Sequence, residues 1–299
     1  MNSNNCNWHS DRNAGVICQR CERRICVECM YTASVGFHCP ECVTPQSGNY
    51  SRRAFYRQQS NRTTYGADQA PITRVLIAIN ALAFLLTIFS GGSLASGGGD
   101  ATINFGLVGY GRIRSGFFVD QVGIAEGEWW RIVTGGFLHA GVIHLAFNMF
   151  LLWMLGNQLE RTMRPMNYIS LYLGALSAGS FGVMLLDPLA LTVGASGAVF
   201  GLMGATGVYQ LRRGLSPWSN GIGSLLFINL IFTFLRPNIS VGGHLGGLIG
   251  GAGIGWLIEE LEKRKLPIFL KKIIPVFIVI FFISASIWAS NYWYNPILG

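Results

Sequence analysis

Charged side chains are scarce in this sequence, and acidic ones are the scarcest. Of the 299 residues, 12% are charged and 51% are hydrophobic, whereas an ordinary globular domain is about 25% charged. Acidic residues number 14 against 22 lysines and arginines, so the net charge is +8. This composition excludes a single water-soluble domain and predicts a polytopic membrane protein.

The basic residues do not form the continuous patch that a nucleic-acid-binding protein presents to phosphates. They fall in short segments between apolar runs, as Arg161 and Arg164 or Arg212 and Arg213 do. That distribution is typical of cytoplasmic loops between membrane helices. We therefore expect the chain to contact the lipid bilayer and no nucleic acid.

Cysteine is missing after Cys42, and the seven cysteines up to that point are closely spaced. With one histidine they form four pairs, each separated by two residues: Cys6 and His9, Cys18 and Cys21, Cys26 and Cys29, Cys39 and Cys42. Such pairs are typical of structural zinc sites, and eight ligands suffice for two tetrahedral ions. The order favours a cross-brace, in which the first and third pairs share one ion and the second and fourth share the other.

Two other arrangements of this cysteine-rich segment remain open. His38 could replace Cys39 as a ligand, and the cysteines could form disulfides instead of binding metal. Seven cysteines cannot all pair with one another, and the segment precedes a helix predicted to begin in the cytoplasm, where thiols stay reduced. The spacing resembles B-box-type zinc modules, which usually bind proteins. We expect two structural zinc ions and an unidentified protein partner.

The sequence predicts four segments along the chain. Residues 1–43 form the zinc module, 44–70 a flexible basic linker, 71–260 a core of six membrane helices, and 261–299 a cytoplasmic loop with a seventh membrane helix. Four arginines of the linker either contact anionic lipid headgroups or are merely solvated. They are Arg52, Arg53, Arg57 and Arg62.

Seven apolar runs predict seven helices, some shorter than the roughly 20 residues needed to cross a bilayer. The runs are Ile72–Phe89, Gly136–Gly156, Tyr168–Leu186, Ser196–Leu211, Ile222–Leu235, Val241–Ile258 and Ile268–Ala289. Basic residues concentrate before the first run, after the second and fourth, and between the sixth and seventh. Because such residues stay in the cytoplasm, the amino terminus is predicted inside and the carboxyl terminus outside.

Four polar side chains on three of these runs are predicted at one depth. Ser196, His144, Asn148 and His244 lie about 17 to 23 Å above the cytoplasmic ends of their helices, in a hydrocarbon layer about 30 Å thick. Polar residues within a membrane are costly and usually functional. Glycines at four-residue spacing on the runs carrying Ser196 and His244 predict a close approach of these two helices.

A serine beside a histidine can act as a nucleophile with its general base. No aspartate or glutamate lies within a predicted span, so a dyad of Ser196 and His244 is expected instead of a triad. His144 and Asn148 share a helix face and could stabilise an oxyanion with the Ser196 N–H. Taken singly, these residues could instead pack or join helices. His139, His144 and His244 could also bind a metal, although no carboxylate or cysteine supports such a site.

The polar residues belong to a set of motifs that resembles the rhomboid family of intramembrane serine proteases, from Ile72 to about Ile258. The motifs are Trp130-Arg131, His139-x4-His144-x3-Asn148, Gly194-Ala-Ser-Gly197 and Gly243-His244-Leu-Gly-Gly247. The resemblance implies an all-α, rhomboid-like six-helix bundle, here with one added carboxyl-terminal helix. It implies Ser196 as nucleophile, His244 as base, and His144, Asn148 and the Ser196 amide as the oxyanion hole. It also implies that Phe200 packs on the His244 ring and that Trp130 and Arg131 anchor the first loop.

The resemblance further implies an activity, which is hydrolysis of peptide bonds in or near transmembrane segments of other membrane proteins, without a catalytic cofactor. The fifth helix and the loop Arg236–Ser240 would form the gate, and a bacterial plasma membrane is the expected location. Three other functions remain open. The protein could bind membrane clients as a non-proteolytic chaperone, transport a solute through a polar midplane site, or act as a membrane-anchored adaptor.

Overall fold

A computed structural model describes residues 5–32, 36–43, 70–115, 118–219 and 221–293. The chain divides into two compact units, Met1–Ala67 and Asp68–Gly299. The predicted linker of residues 44–70, with its four arginines, lies outside the described residues except for Ala70. The limits of the four predicted segments therefore stay a prediction.

The described part of the first unit consists mainly of two short hairpins. Its elements are β1 (Val16–Ile17), β2 (Arg24–Ile25), a 3-10 turn (Val27–Cys29), β3 (Tyr31–Thr32), β4 (Phe37–His38) and α1 (Pro40–Val43). β1 pairs antiparallel with β2, and β3 pairs antiparallel with β4. The buried core consists of Ile25 and five cysteines. Trp8, Val16, Met30 and Phe37 pack against it while only partly buried, so the hydrophobic core of this unit is small.

The second unit is mainly helical. In chain order its described helices are α2 (Pro71–Phe89), α3 (Gly99–Phe105), α4 (Arg131–Thr134), α5 (Val142–Glu160), α6 (Pro165–Leu186), α7 (Ser196–Arg212), α8 (Ile222–Leu235), α9 (Val241–Lys263) and α10 (Ile268–Trp293). A hairpin of β5 (Gly111–Ser115) and β6 (Phe118–Val122) lies between α3 and α4. α2, α5, α6, α9 and α10 are long and apolar enough to cross a membrane. The predicted class, an all-α polytopic membrane protein, is confirmed.

The second membrane helix begins later than its apolar run predicts. The run starts at Gly136, but α5 starts at Val142. Gly135–Phe137 form a 3-10 turn, and Gly141 has a φ of 105°, which an α-helix does not allow. His144 consequently lies in the first turn of α5, next to the loop that precedes this helix.

The sixth membrane helix continues past the predicted end of its run at Ile258. α9 extends to Lys263 because its last turns carry charges that are paired across the bundle. Arg212, at the end of α7, lies 2.9 Å from Glu259 and 3.0 Å from Glu260. These ion pairs join the ends of α7 and α9.

Helices α7 and α9 approach until their backbones touch. A methyl group added to Gly251 would overlap the backbone of Gly201, and one on Gly247 would overlap the carbonyl of Gly197. Helix α6 joins the same contact, where a methyl group on Gly179 would lie 2.9 Å from a carbonyl oxygen of α9. Small residues allow this approach within lipid. The contact of α7 with α9 confirms the prediction from glycine spacing, whereas the contribution of α6 was not predicted.

The loop between α2 and α5 is held in place by Arg131, which is completely buried. Its guanidinium donates to the Glu128 carboxylate at 2.7 Å and to the carbonyls of Ile103 and Gly106 at 2.7 and 2.8 Å. A buried charge is tolerated only with partners of this kind. Trp130 remains 38% exposed. Most of the anchoring expected of this pair is therefore supplied by Arg131.

The start of α2 is capped by a residue from the far end of α5. The Glu160 carboxylate accepts hydrogen bonds from the Ile72 and Thr73 N–H groups at 2.9 and 2.8 Å and from the Thr73 hydroxyl at 2.7 Å. The same hydroxyl lies 2.9 Å from the Tyr168 hydroxyl of α6. The free N–H groups of a helix start need such acceptors, so this cap fixes α2 against α5 and α6.

From the contact of α7 with α9 we predict how two matched substitutions change the free energy of unfolding. Gly251→Ala should destabilise the protein by about 1–3 kcal/mol, because the methyl group meets only backbone atoms of α7, which cannot rotate away. Gly253→Ala lies on the same helix and its methyl group meets nothing within 4 Å. It should be neutral, or stabilising by up to about 1 kcal/mol, because alanine favours helix. Thermal unfolding in detergent measures both, and equal effects would contradict the packing described here.

Candidate active site and metal centres

Ser196 is the first residue of α7 and follows a glycine in an unusual conformation. Gly194 has a φ of 134°, and its N–H donates to the Gly135 carbonyl at 3.0 Å. A residue with a side chain rarely adopts that φ, so glycine is required here. The first N–H groups of a helix have no acceptor within it. The Ser196 and Gly197 amides are therefore free to donate to a ligand at this point.

His144, in the first turn of α5, lies against the same glycine. A methyl group placed on Gly194 would be 3.1 Å from His144 Nε2 and 3.7 Å from Ser196 Oγ. The Ala140 N–H donates to His144 Nδ1 at 3.4 Å. In a neutral ring with an accepting Nδ1, the proton is on Nε2. His144 thus presents an N–H donor beside the Ser196 hydroxyl.

Asn148 lies one turn further along α5 and is buried. Its side-chain Nδ2 donates to the His144 carbonyl at 2.9 Å. A carboxamide nitrogen has a second N–H to donate. The structure therefore places His144 and Asn148 on one helix face, as predicted.

His244 lies in the first turn of α9 and is 8% exposed. Its ring stacks on Phe200, with the ring centres 4.1 Å apart and the planes inclined by 19°. This stacking confirms the predicted contact. The ring nitrogen Nδ1 lies 2.7 Å from the Thr233 hydroxyl of α8.

The contact between α7 and α9 brings Ser196 and His244 to one junction. A methyl group on Gly197, the residue after the serine, would lie 3.3 Å from the carbonyl oxygen of Gly243, the residue before the histidine. Among the described residues, the hydrogen bond of the His244 ring is to Thr233, and none joins it to Ser196. Catalytic hydrogen bonds are often long without substrate. The backbones next to the two predicted residues are therefore close together, and the dyad stays a prediction.

A small cavity adjoins Ser196. It measures about 30 Å³ and is lined by residues of the loops and of α6, α7 and α9. Among the lining residues are Gly135, Leu176, Ser180, Ser196 and Ser240. A space of this volume holds about one water molecule, provided that polar groups line it. The serine hydroxyls supply such groups next to the candidate nucleophile.

Two buried polar residues of α8 were not among the site residues predicted from the sequence. Asn229 and Thr233 are buried, while half of the residues of α8 are exposed. Their four-residue spacing in an otherwise apolar helix is a signal that could have found them, because it marks one helix face.

The alternative metal site of His139, His144 and His244 finds no support in the described part of the chain. His139 is buried, its ring centre is 5.2 Å from that of His144, and its Nδ1 contacts the Phe137 carbonyl at 3.3 Å. Groups of three or more possible ligands occur among the described residues only in the first unit.

The first unit gathers the predicted zinc ligands into two groups. One group contains Cys6, His9, Cys26 and Cys29, and the other contains Cys18, Cys21, Cys39 and Cys42. Within each group the ligand atoms lie within 4.8 Å of one another. The first and third pairs share one group, and the second and fourth share the other. The groups therefore follow the predicted cross-brace, and His38 belongs to neither.

The distances within each group fit a tetrahedral zinc ion. Zinc bonds of about 2.3 Å to sulfur and about 2.0 Å to nitrogen separate the ligand atoms by about 3.5 to 3.8 Å. His9 Nδ1 lies 3.9, 3.4 and 3.4 Å from the sulfurs of Cys6, Cys26 and Cys29. In the other group the sulfurs of Cys21 and Cys39 are 3.5 Å apart. Nitrogen and thiolate donors at these distances fit zinc.

The electrostatics of the first group favour a bound cation. Burial opposes ionisation of the Cys6 thiol, but backbone hydrogen bonds at Trp8 and Cys26 outweigh it and lower the pKa of Cys6 to about 6. Burial, together with hydrogen bonds shared with the Cys6 and Cys26 thiols, raises the pKa of Cys29 to about 12. Thiolates gathered this closely repel one another, and a positive ion between them would remove that repulsion.

Comparison with known proteins identifies the second unit. Residues 126–260 match the family described as the Rhomboid domain. The chain is 35% identical over 203 residues to Rhomboid protease GluP of Bacillus subtilis, covering 65% of this chain and 37% of GluP. It is 35% identical over 149 residues to Putative rhomboid protease YdcA of Bacillus subtilis, covering 48% of this chain and 75% of YdcA.

A third relative matches about half of this chain. Rhomboid-like protease 1 of Toxoplasma gondii is 34% identical over 158 residues, which cover 49% of this chain and 52% of that protein. The chain thus spans little more than a third of GluP and about half of the Toxoplasma protein, but three quarters of YdcA. By its likeness to YdcA and its Rhomboid domain, the chain belongs to the rhomboid family.

Proposed function

We propose that this protein is an intramembrane serine endopeptidase that cleaves peptide bonds in or near transmembrane segments of other membrane proteins. One observation carries the proposal. Ser196 and His244 occupy the first turns of two helices whose backbones touch at Gly197 and Gly243. The His144 N–H donor lies beside the serine. Nucleophile, base and oxyanion donor thus converge at one end of the bundle.

The reaction follows the two-step course of acyl transfer. Ser196 Oγ attacks the substrate carbonyl carbon while His244 Nε2 takes the hydroxyl proton. The resulting oxyanion accepts hydrogen bonds from the Ser196 N–H, His144 Nε2 and Asn148 Nδ2. Collapse breaks the carbon–nitrogen bond, and His244 returns the proton to the leaving amine. Water then hydrolyses the Ser196 ester by the same route, with His244 again as base.

Substrate would enter beside α8. This helix is 14 residues long, and its buried residues are Ile222, Asn229 and Thr233. Half of its residues are exposed, among them the apolar Phe227, Ile231 and Phe234. A helix held along one narrow face can move away from the bundle at low cost. We therefore assign the gate to α8 and the loop 236–240 that follows it.

The protein would lie in a bacterial plasma membrane with its amino terminus in the cytoplasm and its carboxyl terminus outside. The support for this orientation is the distribution of basic residues, which concentrate before the first membrane helix, after the second and fourth, and between the sixth and seventh. In that orientation the first turns of α5, α7 and α9 face the outer leaflet. Water reaches Ser196 from the outside over a short distance.

The first unit would hold two structural zinc ions, and zinc would take no part in catalysis. The eight ligands are those of the two groups, and the bound ions would supply the cross-links that a core of Ile25 and cysteines requires. Small zinc modules of this size commonly present a binding surface. We therefore assign to this unit an interaction with a protein partner.

Substitution of the dyad tests the proposed reaction. Ser196→Ala and His244→Ala should each lower cleavage of a single-span membrane substrate by at least about 10³-fold, because nucleophile and base act as a unit. Cleavage is measured with purified protein in liposomes, alongside labelling of the serine by a fluorophosphonate probe. Ser286→Ala is the matched control, since its buried hydroxyl bonds only its own helix, at the Phe282 carbonyl. If Ser196→Ala cleaved at the wild-type rate, Ser196 would not be the nucleophile; if the wild-type protein neither cleaved nor reacted with the probe, a client-binding protein would be favoured.

Asn148 should contribute less than the dyad. Asn148→Ala removes one donor to the oxyanion and should lower kcat by about 10²-fold, with little change in KM. Labelling of Ser196 by the fluorophosphonate should slow in parallel, because the phosphoryl oxygen occupies the same position. The control is Asn157→Ala. The side-chain amide of Asn157 donates to the Trp153 carbonyl, nearer the carboxyl end of α5. Equal losses from the two substitutions would exclude an oxyanion role for Asn148.

The metal content tests the cross-brace. The purified full-length protein should contain two zinc ions per chain by elemental analysis, and Cys26→Ser or Cys39→Ser should each remove one of them. His38→Ala is the control and should retain both ions, because His38 belongs to neither group. Loss of zinc from His38→Ala together with retention in Cys39→Ser would instead make His38 the ligand.

A further inference from the structure

One hydroxyl of the gate helix α8 reaches the candidate base. Thr233 is 1% exposed, and its Oγ1 lies 2.7 Å from His244 Nδ1. Its neighbours on α8, Phe232 and Phe234, are 53% and 63% exposed. Thr233 is therefore turned into the bundle, and a buried hydroxyl in lipid needs a partner.

The hydrogen bonds of Thr233 determine which nitrogen of His244 carries the proton. Thr233 Oγ1 also lies 2.8 Å from the carbonyl oxygen of Asn229, one turn earlier on α8. A carbonyl oxygen only accepts, and a hydroxyl has a single proton, so Thr233 donates to Asn229. Toward His244 the hydroxyl can only accept, and the ring must donate from Nδ1. In the neutral ring Nε2 is then unprotonated.

Stacking alone would not orient the imidazole in this way. Contact with Phe200 fixes the plane of the His244 ring at 4.1 Å. It does not select between two orientations of the ring. A half-turn about the Cβ–Cγ bond keeps the plane of the ring and exchanges nitrogen and carbon positions with little change in shape. A directional hydrogen bond to Nδ1 distinguishes the two orientations. Phe200 and Thr233 together therefore specify both the plane and the direction of the base.

We propose that Thr233 is a positioning residue of the active site, which holds His244 in the Nδ1-protonated form so that Nε2 can take the proton of Ser196. This inference rests on the proposed protease function. Two hydrogen bonds, from the His244 ring to Thr233 and from Thr233 to the Asn229 carbonyl, take the place of the carboxylate of a Ser-His-Asp triad and use only neutral groups. They orient the ring and stabilise the imidazolium through an already polarised hydroxyl, without a charge buried in lipid.

The position of Thr233 also connects the base to the gate. Thr233 lies two residues before the end of α8, and His244 lies on α9 beyond the loop 236–240. Movement of α8 away from α9 would withdraw the hydroxyl from Nδ1. The base is accordingly oriented when α8 is packed against α9, and its orientation is released when α8 opens.

The kinetic test removes the hydroxyl without changing the shape of the side chain. In full-length protein in liposomes, Thr233→Val should lower kcat for a single-span substrate by about 10- to 100-fold while KM changes little. Thr233→Ser, which keeps the hydroxyl, should restore kcat to within about 3-fold of wild type. Thr206→Val is the matched control, because Thr206 is 2% exposed and bonds only the Leu202 carbonyl of its own helix. That variant should retain wild-type kcat.

The outcomes separate this inference from the proposed function. If Thr233→Val kept wild-type kcat while Ser196→Ala abolished cleavage, the role of Thr233 would be overturned and the protease would stand. If Thr233→Val lost activity and Thr233→Ser failed to restore it, Thr233 would be a packing residue only. If Ser196→Ala remained active, Ser196 would not be the nucleophile and the proposed dyad itself would fail.

A spectroscopic measurement on the wild-type protein avoids any dependence on folding of the variants. Solid-state NMR of protein labelled with [15N]histidine distinguishes the two neutral tautomers, and His244→Ala identifies the signal of this residue. At a pH where the ring is neutral, we expect a protonated Nδ1 and an unprotonated Nε2. A protonated Nε2 would overturn the assignment.

Discussion

The backbone contact between α7 and α9 is the constraint on which the active site depends. Lipid supplies no hydrophobic force between helices, so their association relies on close packing and polar contacts. Gly197, Gly201, Gly247 and Gly251 remove the side chains that would separate the two backbones. The serine and the histidine occupy the first turns of these helices. Any increase in the helix separation would therefore move Ser196 away from His244.

The same scarcity of charge that places the chain in a membrane limits its catalytic chemistry. The apolar runs contain no acid that could orient a histidine. The structure uses a stacked phenylalanine and a threonine hydroxyl next to His244 instead. The buried guanidinium of Arg131 in the first loop is paired with one carboxylate and two carbonyl groups. Neutral hydrogen bonds carry the polar network at the depth of the candidate site.

The two units of the chain solve the problem of stability in opposite ways. The membrane unit relies on glycine and alanine contacts between long helices, with ion pairs joining the ends of α7 and α9. The first unit has a core of one isoleucine and five cysteines and contains two groups of four residues that could hold a metal ion. Each group joins pairs that are distant in sequence, so an ion bound there would couple metal binding to folding.

Local patterns determined much of this protein from the sequence alone. Apolar runs predicted the helices, paired cysteines predicted the composition of the ligand groups, and glycine periodicity predicted the approach of α7 to α9. These features repeat at fixed short spacings, which the sequence displays directly. The late start of α5, the part played by α6 and the bond from Thr233 to His244 were decided by tertiary structure. They depend on the conformation of Gly141 and on contacts between separate helices, which no short-range pattern encodes.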